Sequence, residues 1–299
     1  MQTQPNHQSI SNNNLINRSV YLASVLLIIL GITLPMVGCS WMGISTFKAN
    51  ETRNITAPAT AGQSLRVNTA NGKVAISIDQ TRQDVSIEAA IRTGGSTLDE
   101  AQNRLAATSI ITSQANGNVL DISVDYGPEG RKSSDSCSFT ITLPAVSGIF
   151  VKTSNGSIQL TDTSGAADLH TSNGSVTLVR HDGPATIKTS NGKVTLDAIT
   201  GQTNAKSSNG TINYSAAPDN TNPFSLQTSN GSIHITIPAS AKGTIDATTS
   251  NGSININKIP EQGSITGDKH HRIITLGSNS QTKSKAHTSN GSITITINQ

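Results

Sequence analysis

The feature that most constrains this chain is a tetrapeptide, Thr-Ser-Asn-Gly, that returns at nearly constant intervals. Its asparagines are Asn155, Asn173, Asn191, Asn230, Asn251 and Asn290, and Asn209 belongs to a near copy, Ser-Ser-Asn-Gly. The first three intervals are 18 residues and the next two are 21, whereas the last is 39, the sum of one interval of each kind. We therefore expect one further copy, without its Asn-Gly marker, between the last two. Fixed periods near 20 residues are typical of solenoids in which each copy is one coil.

Apolar and polar residues alternate on both sides of each Asn-Gly pair. Around Asn155 the apolar positions are Val151, Ile158 and Leu160, and the later copies place apolar residues at the same offsets. This period of two is typical of strands with one buried face. A glycine also recurs ten residues after the first, second and third Asn. The unit is therefore predicted to be a strand, an Asn-Gly corner, a second strand and a glycine corner.

The Asn-Gly pairs are predicted to be structural turns. Asn tolerates the left-handed conformation and Gly adopts positive φ without steric cost, so the pair can bend a strand sharply. Stacked Thr and Asn side chains are expected to hydrogen-bond from coil to coil. The predicted turn residues are Asn155, Gly156, Asn173, Gly174, Asn191, Gly192, Asn209, Gly210, Asn230, Gly231, Asn251, Gly252, Asn290 and Gly291.

The same pairs allow a second architecture. Asn-Gly between alternating runs is the strongest short-range signal for a hairpin, which would give an antiparallel β meander or sandwich. A helix of strands requires coils of equal length, whereas a meander only permits strands of equal length. The constant spacing therefore favours a single-stranded β-helix with coils of 18–21 residues.

The composition favours an all-β fold and argues against nucleic-acid binding. Charged residues are 13% of the chain and aromatic residues 3%, against roughly 25% charged residues in typical domains. The core must therefore be filled by small and β-branched side chains, which suit sheets. The net charge is only +3 and there is no long basic run, so the electrostatic signature of nucleic-acid binding is missing.

The N-terminus predicts membrane attachment. Residues 20–38 form an uncharged apolar run, which is typical of an export signal or a single membrane span. Its end, Met36-Val37-Gly38-Cys39, resembles the lipobox of bacterial lipoproteins, although Met36 replaces the usual Leu. The resemblance implies that Cys39 is lipidated after cleavage and that Ser40 directs the lipoprotein to the outer membrane. The alternative is an uncleaved helix in the inner membrane, with the rest of the chain facing the periplasm.

The chain divides into four predicted segments. Residues 1–38 are the signal peptide or anchor, residues 39–47 a linker, residues 48–150 a cap with more variable strands, and residues 151–299 the repeats. The cap is expected to contain a helix over residues 96–107, begun by a capping box of Thr97 and Glu100. The last residues, ITITINQ, lack a charged side chain and are expected to form an open edge that pairs with another chain.

Three segments, LRVNTANGKVAI, FTITLPAVSGIFVKTSNGSI and ITLGSNSQTKSKAHTSNGSITITI, resemble the bacterial β-strand-repeat families known as putative adhesins. The similarity runs from about Phe47 to the end. It implies a right-handed single-stranded β-helix, and it implies no catalytic residue, because these families are mostly uncharacterised and offer none.

Residues with chemical potential do not assemble into a predicted active site. Asp162, Asp182 and Asp197 lie at different offsets from their asparagines and should not stack into a carboxylate cluster. Cys137 is predicted to be a small core residue. The histidines are scattered, so neither a metal nor a cofactor is expected. The outward positions, interpreted as Lys152, Asp168, Lys188 and Asn204, are too mixed for a uniform binding lattice.

The sequence therefore predicts a lipid-anchored β-solenoid of the cell envelope that is not an enzyme and serves as an interaction or structural module. Its expected partners are the membrane, through the N-terminus, and an envelope glycan or protein, with edge-to-edge self-association as a further mode. The alternatives are a carbohydrate-active β-helix enzyme, which would need paired carboxylates in a groove, and a component of an envelope-stress sensor.

Overall fold

The computed structural model describes residues 47–115, 118–218, 220–258, 263–277 and 281–298. The predicted signal or anchor, Cys39 and nearly all of the predicted linker lie outside these ranges. The described residues form two large sheets and a helix, α1 (Leu98–Ala107). Within them, no helix has the length and apolar character needed to cross a membrane. The fold is all-β, as the composition predicts.

The two sheets contain 11 and 12 strands. The first sheet has the spatial order β1 (Phe47–Pro58), β4 (Asp84–Gly95), β7 (Ser136–Leu143), β3 (Val74–Ile78), β9 (Ile158–Thr161), β11 (Val176–His181), β13 (Val194–Ile199), β15 (Ile212–Ala216), β17 (Ile233–Pro238), β23 (Ile293–Asn298) and β19 (Ile254–Asn257). The second has the order β20 (Ser264–Gly267), β21 (His271–Leu276), β18 (Gly243–Thr249), β22 (Lys283–Thr288), β16 (Phe224–Thr228), β14 (Thr203–Lys206), β12 (Ala185–Lys188), β10 (Ala166–His170), β8 (Gly148–Lys152), β2 (Ser64–Asn68), β6 (Val119–Asp125) and β5 (Ser109–Ala115).

The strands of the repeat pair in parallel, each with the equivalent strand of another copy. Val176 in β11 pairs with Ile158 in β9 and with Val194 in β13, so the register between these copies equals the 18-residue period. The strands on the two sides of an Asn-Gly pair, such as β10 and β11, lie in different sheets. The Asn-Gly pair therefore does not close a hairpin, and the antiparallel alternative is wrong for the repeat strands.

The core lies between the two sheets and is made of stacked aliphatic side chains. Leu160, Leu178 and Leu196 occupy one register position of three neighbouring strands, and none is more than 1% exposed. Alternate residues of each strand point inward because successive side chains of a strand face opposite sides. Each fully buried aliphatic side chain contributes roughly 1.5–3 kcal/mol, so each added coil extends the same core.

Helix α1 ends at Ala107 as predicted and begins at Leu98, two residues later than predicted, with a different set of capping hydrogen bonds. Thr97 is the N-cap, and its hydroxyl accepts a hydrogen bond from the Glu100 backbone N–H at 3.1 Å. The Glu100 carboxylate accepts from the Ser96 backbone N–H at 2.7 Å rather than from Thr97. The capping box is therefore shifted by one residue. Hydrogen bonds from Lys132 and then from Ser96 lower the pKa of Glu100 to about 2.

The C-terminal copies are not stacked in chain order. Strand β22 lies between β16 and β18. Strand β23 lies between β17 and β19. The described residues between β19 and β22 include β20 and β21, an antiparallel extension of the second sheet. The predicted unmarked copy is therefore wrong. The expected open edge at ITITINQ is also wrong, because β23 pairs on both sides and β19 is the edge strand instead.

The N-terminal region shows the same rearrangement. Strands β2 and β3 lie between the copy formed by β6 and β7 and the copy formed by β8 and β9. Their connection contains Asn71 and Gly72, which therefore belong to the stack although they precede residue 151. Nine strands of each sheet run in parallel, and the antiparallel strands β1, β4 and β5 cover one end.

Candidate functional site

The asparagines of the corners form a continuous ladder of side-chain amides. In each step Nδ2 of one Asn donates to Oδ1 of the Asn that precedes it in the ladder, at 2.6 or 2.7 Å. The spatial order is Asn71, Asn155, Asn173, Asn191, Asn209, Asn230, Asn290 and Asn251. The sequence predicts hydrogen bonds between the asparagines of neighbouring coils. It does not predict that Asn71 belongs to the ladder or that Asn290 precedes Asn251 in it.

The hydroxyl residue two positions before each Asn, which is Thr except for Ser207, ties neighbouring corners together. The Thr171 hydroxyl accepts a hydrogen bond from the Gly174 backbone N–H at 3.1 Å and donates to the Gly156 carbonyl at 2.9 Å. Thr189 makes the equivalent bonds to Gly192 and Gly174 at 3.1 Å. Thr171 and Thr189 thus each close their own corner and bond to the preceding one, which holds neighbouring corners together.

The corner glycines are required for close approach, not for positive φ. Neither Gly174 nor its preceding Asn173 has a positive φ. A Cβ on Gly174 would lie 1.8 Å from the Gly156 carbonyl oxygen, and a Cβ on Gly192 would lie 1.7 Å from that of Gly174. The conformational reason predicted for these turns is therefore wrong. Positive φ does explain a glycine at the second corner, where Gly165 has a φ of +83°.

Beside these corners, the outer face of the second sheet carries a row of basic residues. Strand pairing places one residue from each of eight strands in this row, three positions before the Asn of its own corner: Asn68, Lys152, His170, Lys188, Lys206, Gln227, His287 and Thr248. We call Lys152, His170, Lys188 and Lys206, which are consecutive, the lysine row. The sequence interpretation missed it because it combined Lys152 and Lys188 with Asp168 and Asn204, which lie five positions before their asparagines.

Like charges lie directly opposite one another in the lysine row. Lys188 pairs in register with Lys206, and His170 lies between Lys152 and Lys188. The three lysines are exposed, and none forms an ion pair with a described residue. His170 contacts Asp168, with 2.7 Å between Nε2 and Oδ1. The three lysines therefore carry positive charges without an ion pair to a described residue, whereas His170 has Asp168 beside it.

Two other sets of charges on neighbouring strands form opposite-sign pairs. Arg66 lies 3.0 Å from Asp121 on the adjacent strand, and Arg180 lies 2.5 Å from Asp162 of the preceding copy. The Arg66 guanidinium also lies 5.9 Å from the ring centre of Phe150, which is 36% exposed. The like-charged stacking of the lysine row is thus not a general property of the stack.

The outer face of the first sheet is different. Most residues of its central row are polar and uncharged: Thr140, Gln159, Thr177, Thr195, Asn213, Thr294 and Asn255. The same row also contains Ala75 and His234. The two faces of the stack therefore present distinct chemistry, one neutral and hydroxyl-rich and the other basic.

The residues weighed for catalysis are separated or engaged. Asp162 pairs with Arg180, and the carboxylate of Asp182 accepts a hydrogen bond from the Thr200 hydroxyl. Burial raises the pKa of the Cys137 thiol to about 12, so this fully buried group stays protonated at neutral pH. In the described ranges, no group of three His, Cys, Asp or Glu side chains is placed to hold a metal ion.

An open groove of about 920 Å³ lies at the N-terminal end of the ladder, next to Asn71 and Asn155. Its two carboxylates are occupied: Glu51 binds Arg53 at 2.9 Å, and Asp135 binds Arg104 at 2.7 Å. The paired free carboxylates that a carbohydrate-active enzyme needs are therefore not found in this groove.

A sequence model of a family described as Toastrack DUF4097 matches residues 132–296, which is more than half of the chain. The chain belongs to this family. No curated protein matches it. The Toastrack match includes all the Asn-Gly corners from Asn155 onward and the whole lysine row, so both features lie in the part of the chain that defines membership.

Solved structures similar to this Toastrack chain come from several bacteria. A putative cell adhesion protein from Clostridium sporogenes is 12% identical, with 84% of this chain and 100% of that chain covered and a TM-score of 0.34. A putative adhesin from Bacteroides fragilis is 15% identical, with 84% and 97% covered and a TM-score of 0.42. A putative adhesin from Parabacteroides distasonis is 9% identical, with the same coverage and a TM-score of 0.39.

Proposed function

We propose that the protein is a lipid-anchored, non-enzymatic interaction module of the bacterial cell envelope, built as a right-handed β-helix. The observation that carries this proposal is the outer face of the second sheet, where nine parallel strands hold side chains in register rows. A face of this kind offers many equivalent contacts to a repetitive partner, and such contacts gain strength by acting together.

The ladder and the corner threonines support this role because they keep the face rigid. Rigid binding surfaces lose little conformational entropy when a partner binds. Nine stacked strands separated by about 4.8 Å give a face roughly 38 Å long. This length suits contact with an extended polymer or with a folded partner.

The right-handed winding is supported by the connections between parallel strands. The chain leaves β8 in the second sheet, passes through β9 in the first sheet and returns to β10, which is parallel to β8. Crossovers between parallel strands of one sheet are right-handed in about 98% of cases. Ten or more residues separate the paired strands here, which leaves room for such a crossover.

The lipid anchor is proposed from the lipobox-like residues before Cys39. Strand β1 is the first described strand and lies at the edge of the first sheet, at one end of the stack. An anchor at Cys39, eight residues before Phe47, would attach the stack by this end and leave both outer faces accessible.

Palmitate labelling tests the anchor. We expect radiolabelled palmitate to be incorporated into the wild-type protein and lost completely in Cys39→Ala, because Cys39 supplies the acylated thiol. Cys137→Ala is the matched control and should remain labelled, because the Cys137 thiol is fully buried. Labelling that persists in Cys39→Ala, or that is absent from the wild type, would exclude the lipoprotein assignment.

Binding to isolated cell envelopes tests the interaction role. We expect the full-length protein, purified in a non-ionic detergent, to bind envelopes of the source bacterium saturably, because its rigid face is intact. The same protein after irreversible heat denaturation is the control and should bind less tightly and without saturation. Equal binding of native and denatured protein would argue against an interaction module.

A further inference from the structure

The lysine row is energetically unfavourable for the isolated protein. Lys188 and Lys206 lie in register on neighbouring strands about 4.8 Å apart, and like charges placed directly opposite each other destabilise a sheet. Elsewhere on neighbouring strands, charged side chains that face each other have opposite signs, as in Arg66 with Asp121 and Arg180 with Asp162. A negatively charged partner would remove the repulsion between Lys188 and Lys206, and it would also pair with Lys152.

Hydroxyl groups follow the lysine row in the same register. Two residues after each member comes the Ser of the tetrapeptide, and all four of these serines are exposed: Ser154, Ser172, Ser190 and Ser208. A partner lying along the stack would therefore meet cations and hydroxyls side by side. Carboxylates accept hydrogen bonds from ammonium groups, and sugar hydroxyls both donate to and accept from serine hydroxyls.

The side chains on the other flank narrow the choice of partner. The adjacent row contains Phe150, Asp168, Thr186 and Asn204. Single-stranded nucleic acid is usually bound by several aromatic rings on which bases stack, and this row provides one. A membrane-binding face needs a continuous apolar side, and the neighbours of the lysine row are almost entirely polar.

We propose that this face binds an acidic polysaccharide whose chain lies along the stack, with its carboxylates at Lys152, Lys188 and Lys206 and its hydroxyls at the serines. The inference rests on the proposed function as an interaction module and specifies its ligand class. The partner is defined by its chemistry: a linear glycan with one regularly spaced anionic group per sugar or per disaccharide.

The test uses full-length protein in non-ionic detergent and two probes, polygalacturonate and neutral dextran. We expect binding to polygalacturonate that weakens as NaCl is raised, because added salt screens exposed charges, and no binding to dextran. The triple variant Lys152→Gln/Lys188→Gln/Lys206→Gln should bind polygalacturonate about tenfold more weakly, since each exposed charge contact contributes modestly. The control variant Lys73→Gln/Lys193→Gln/Lys242→Gln removes the same charge at exposed positions elsewhere and should bind like the wild type.

Thermal unfolding of both triple variants checks that they fold and tests the repulsion directly. The lysine-row variant should have a Tm equal to or higher than that of the wild type, because unfavourable contacts are removed. A lower Tm would contradict the repulsion that motivates the proposal.

Three binding results would overturn the inference. Equal loss in both triple variants would show that net charge alone is responsible. Tighter, lysine-row-dependent binding to oligothymidylate or to phosphatidylglycerol vesicles would assign the face to nucleic acid or to lipid. The third result is an absence of polygalacturonate binding. If the protein still binds envelopes saturably, this result rejects the acidic glycan as the ligand but not the proposed interaction module. If envelope binding is absent as well, both proposals are rejected.

Discussion

Gly192→Ala is expected to destabilise the protein by about 3 kcal/mol or more. The new Cβ would lie 1.7 Å from the Gly174 carbonyl oxygen and 2.5 Å from its carbonyl carbon. These are backbone atoms held by the corner, where Thr189 bonds both to Gly192 and to Gly174. The two coils must therefore separate locally, which weakens the Asn ladder and the strand pairing at once. Urea unfolding followed by circular dichroism measures the change.

Gly130→Ala is the matched glycine control. Gly130 has a φ of +67°, and a Cβ there would meet no atom within 4 Å. The expected cost is about 1–2 kcal/mol, which is that of a left-handed conformation alone. If Gly130→Ala were as harmful as Gly192→Ala, or if Gly192→Ala were harmless, close backbone approach would not be the reason for glycine in the repeated corner.

Arg104→Met is expected to cost about 3–5 kcal/mol, because it leaves a buried carboxylate without its cation. Asp135 is fully buried and accepts from Arg104 Nη1 at 2.9 Å and from Nη2 at 2.7 Å. Burial raises the pKa of Asp135, but hydrogen bonds from Arg104 and from the backbone N–H groups of Lys132 and Gly94 outweigh it, and the net pKa is lowered. Equilibrium unfolding in urea at pH 7 measures the loss.

Two variants separate the buried charge from the lost side chain. Arg104→Met/Asp135→Asn removes both charges and should recover a substantial part of the stability.

The folded pKa of Asp135 is lowered, so the stability that its carboxylate contributes is present above the unfolded pKa, about 4, and is lost as the pH falls. The double variant should lack this acid sensitivity. Arg180→Met, which breaks the exposed pair with Asp162, should change stability little. A double variant no more stable than Arg104→Met would contradict the charge argument.

Much of the repeat could be predicted from the sequence because its signals are local. Alternation around Asn173 and Asn191 identifies strands with one buried face, and Leu178 and Leu196 are buried as that pattern requires. The N-terminal side of α1 could be located from Thr97 because an N-cap satisfies backbone groups within one turn of itself. The basic row also lies in the sequence, at three residues before each Asn, and a consistent alignment finds it.

The reason for the corner glycines could not be predicted in the same way. Positive φ is a property of one residue, and the sequence suggests it wherever Asn-Gly occurs. The contact between Gly192 and the Gly174 carbonyl joins two coils. It becomes visible only when the coils are placed on one another.

The sequence by itself determined the strands, the corner positions and the composition of the core, since these follow from the alternation of neighbouring residues. Only the tertiary structure decided which coils lie side by side, placing Asn290 between Asn230 and Asn251 and Asn71 beside Asn155. The physical reason is that every coil presents nearly the same apolar pattern and the same corner to its neighbour, so local sequence does not distinguish one stacking order from another. Because the entropy cost of closing a loop rises slowly with loop length, the chain can return and insert a later coil between two earlier ones at little extra cost.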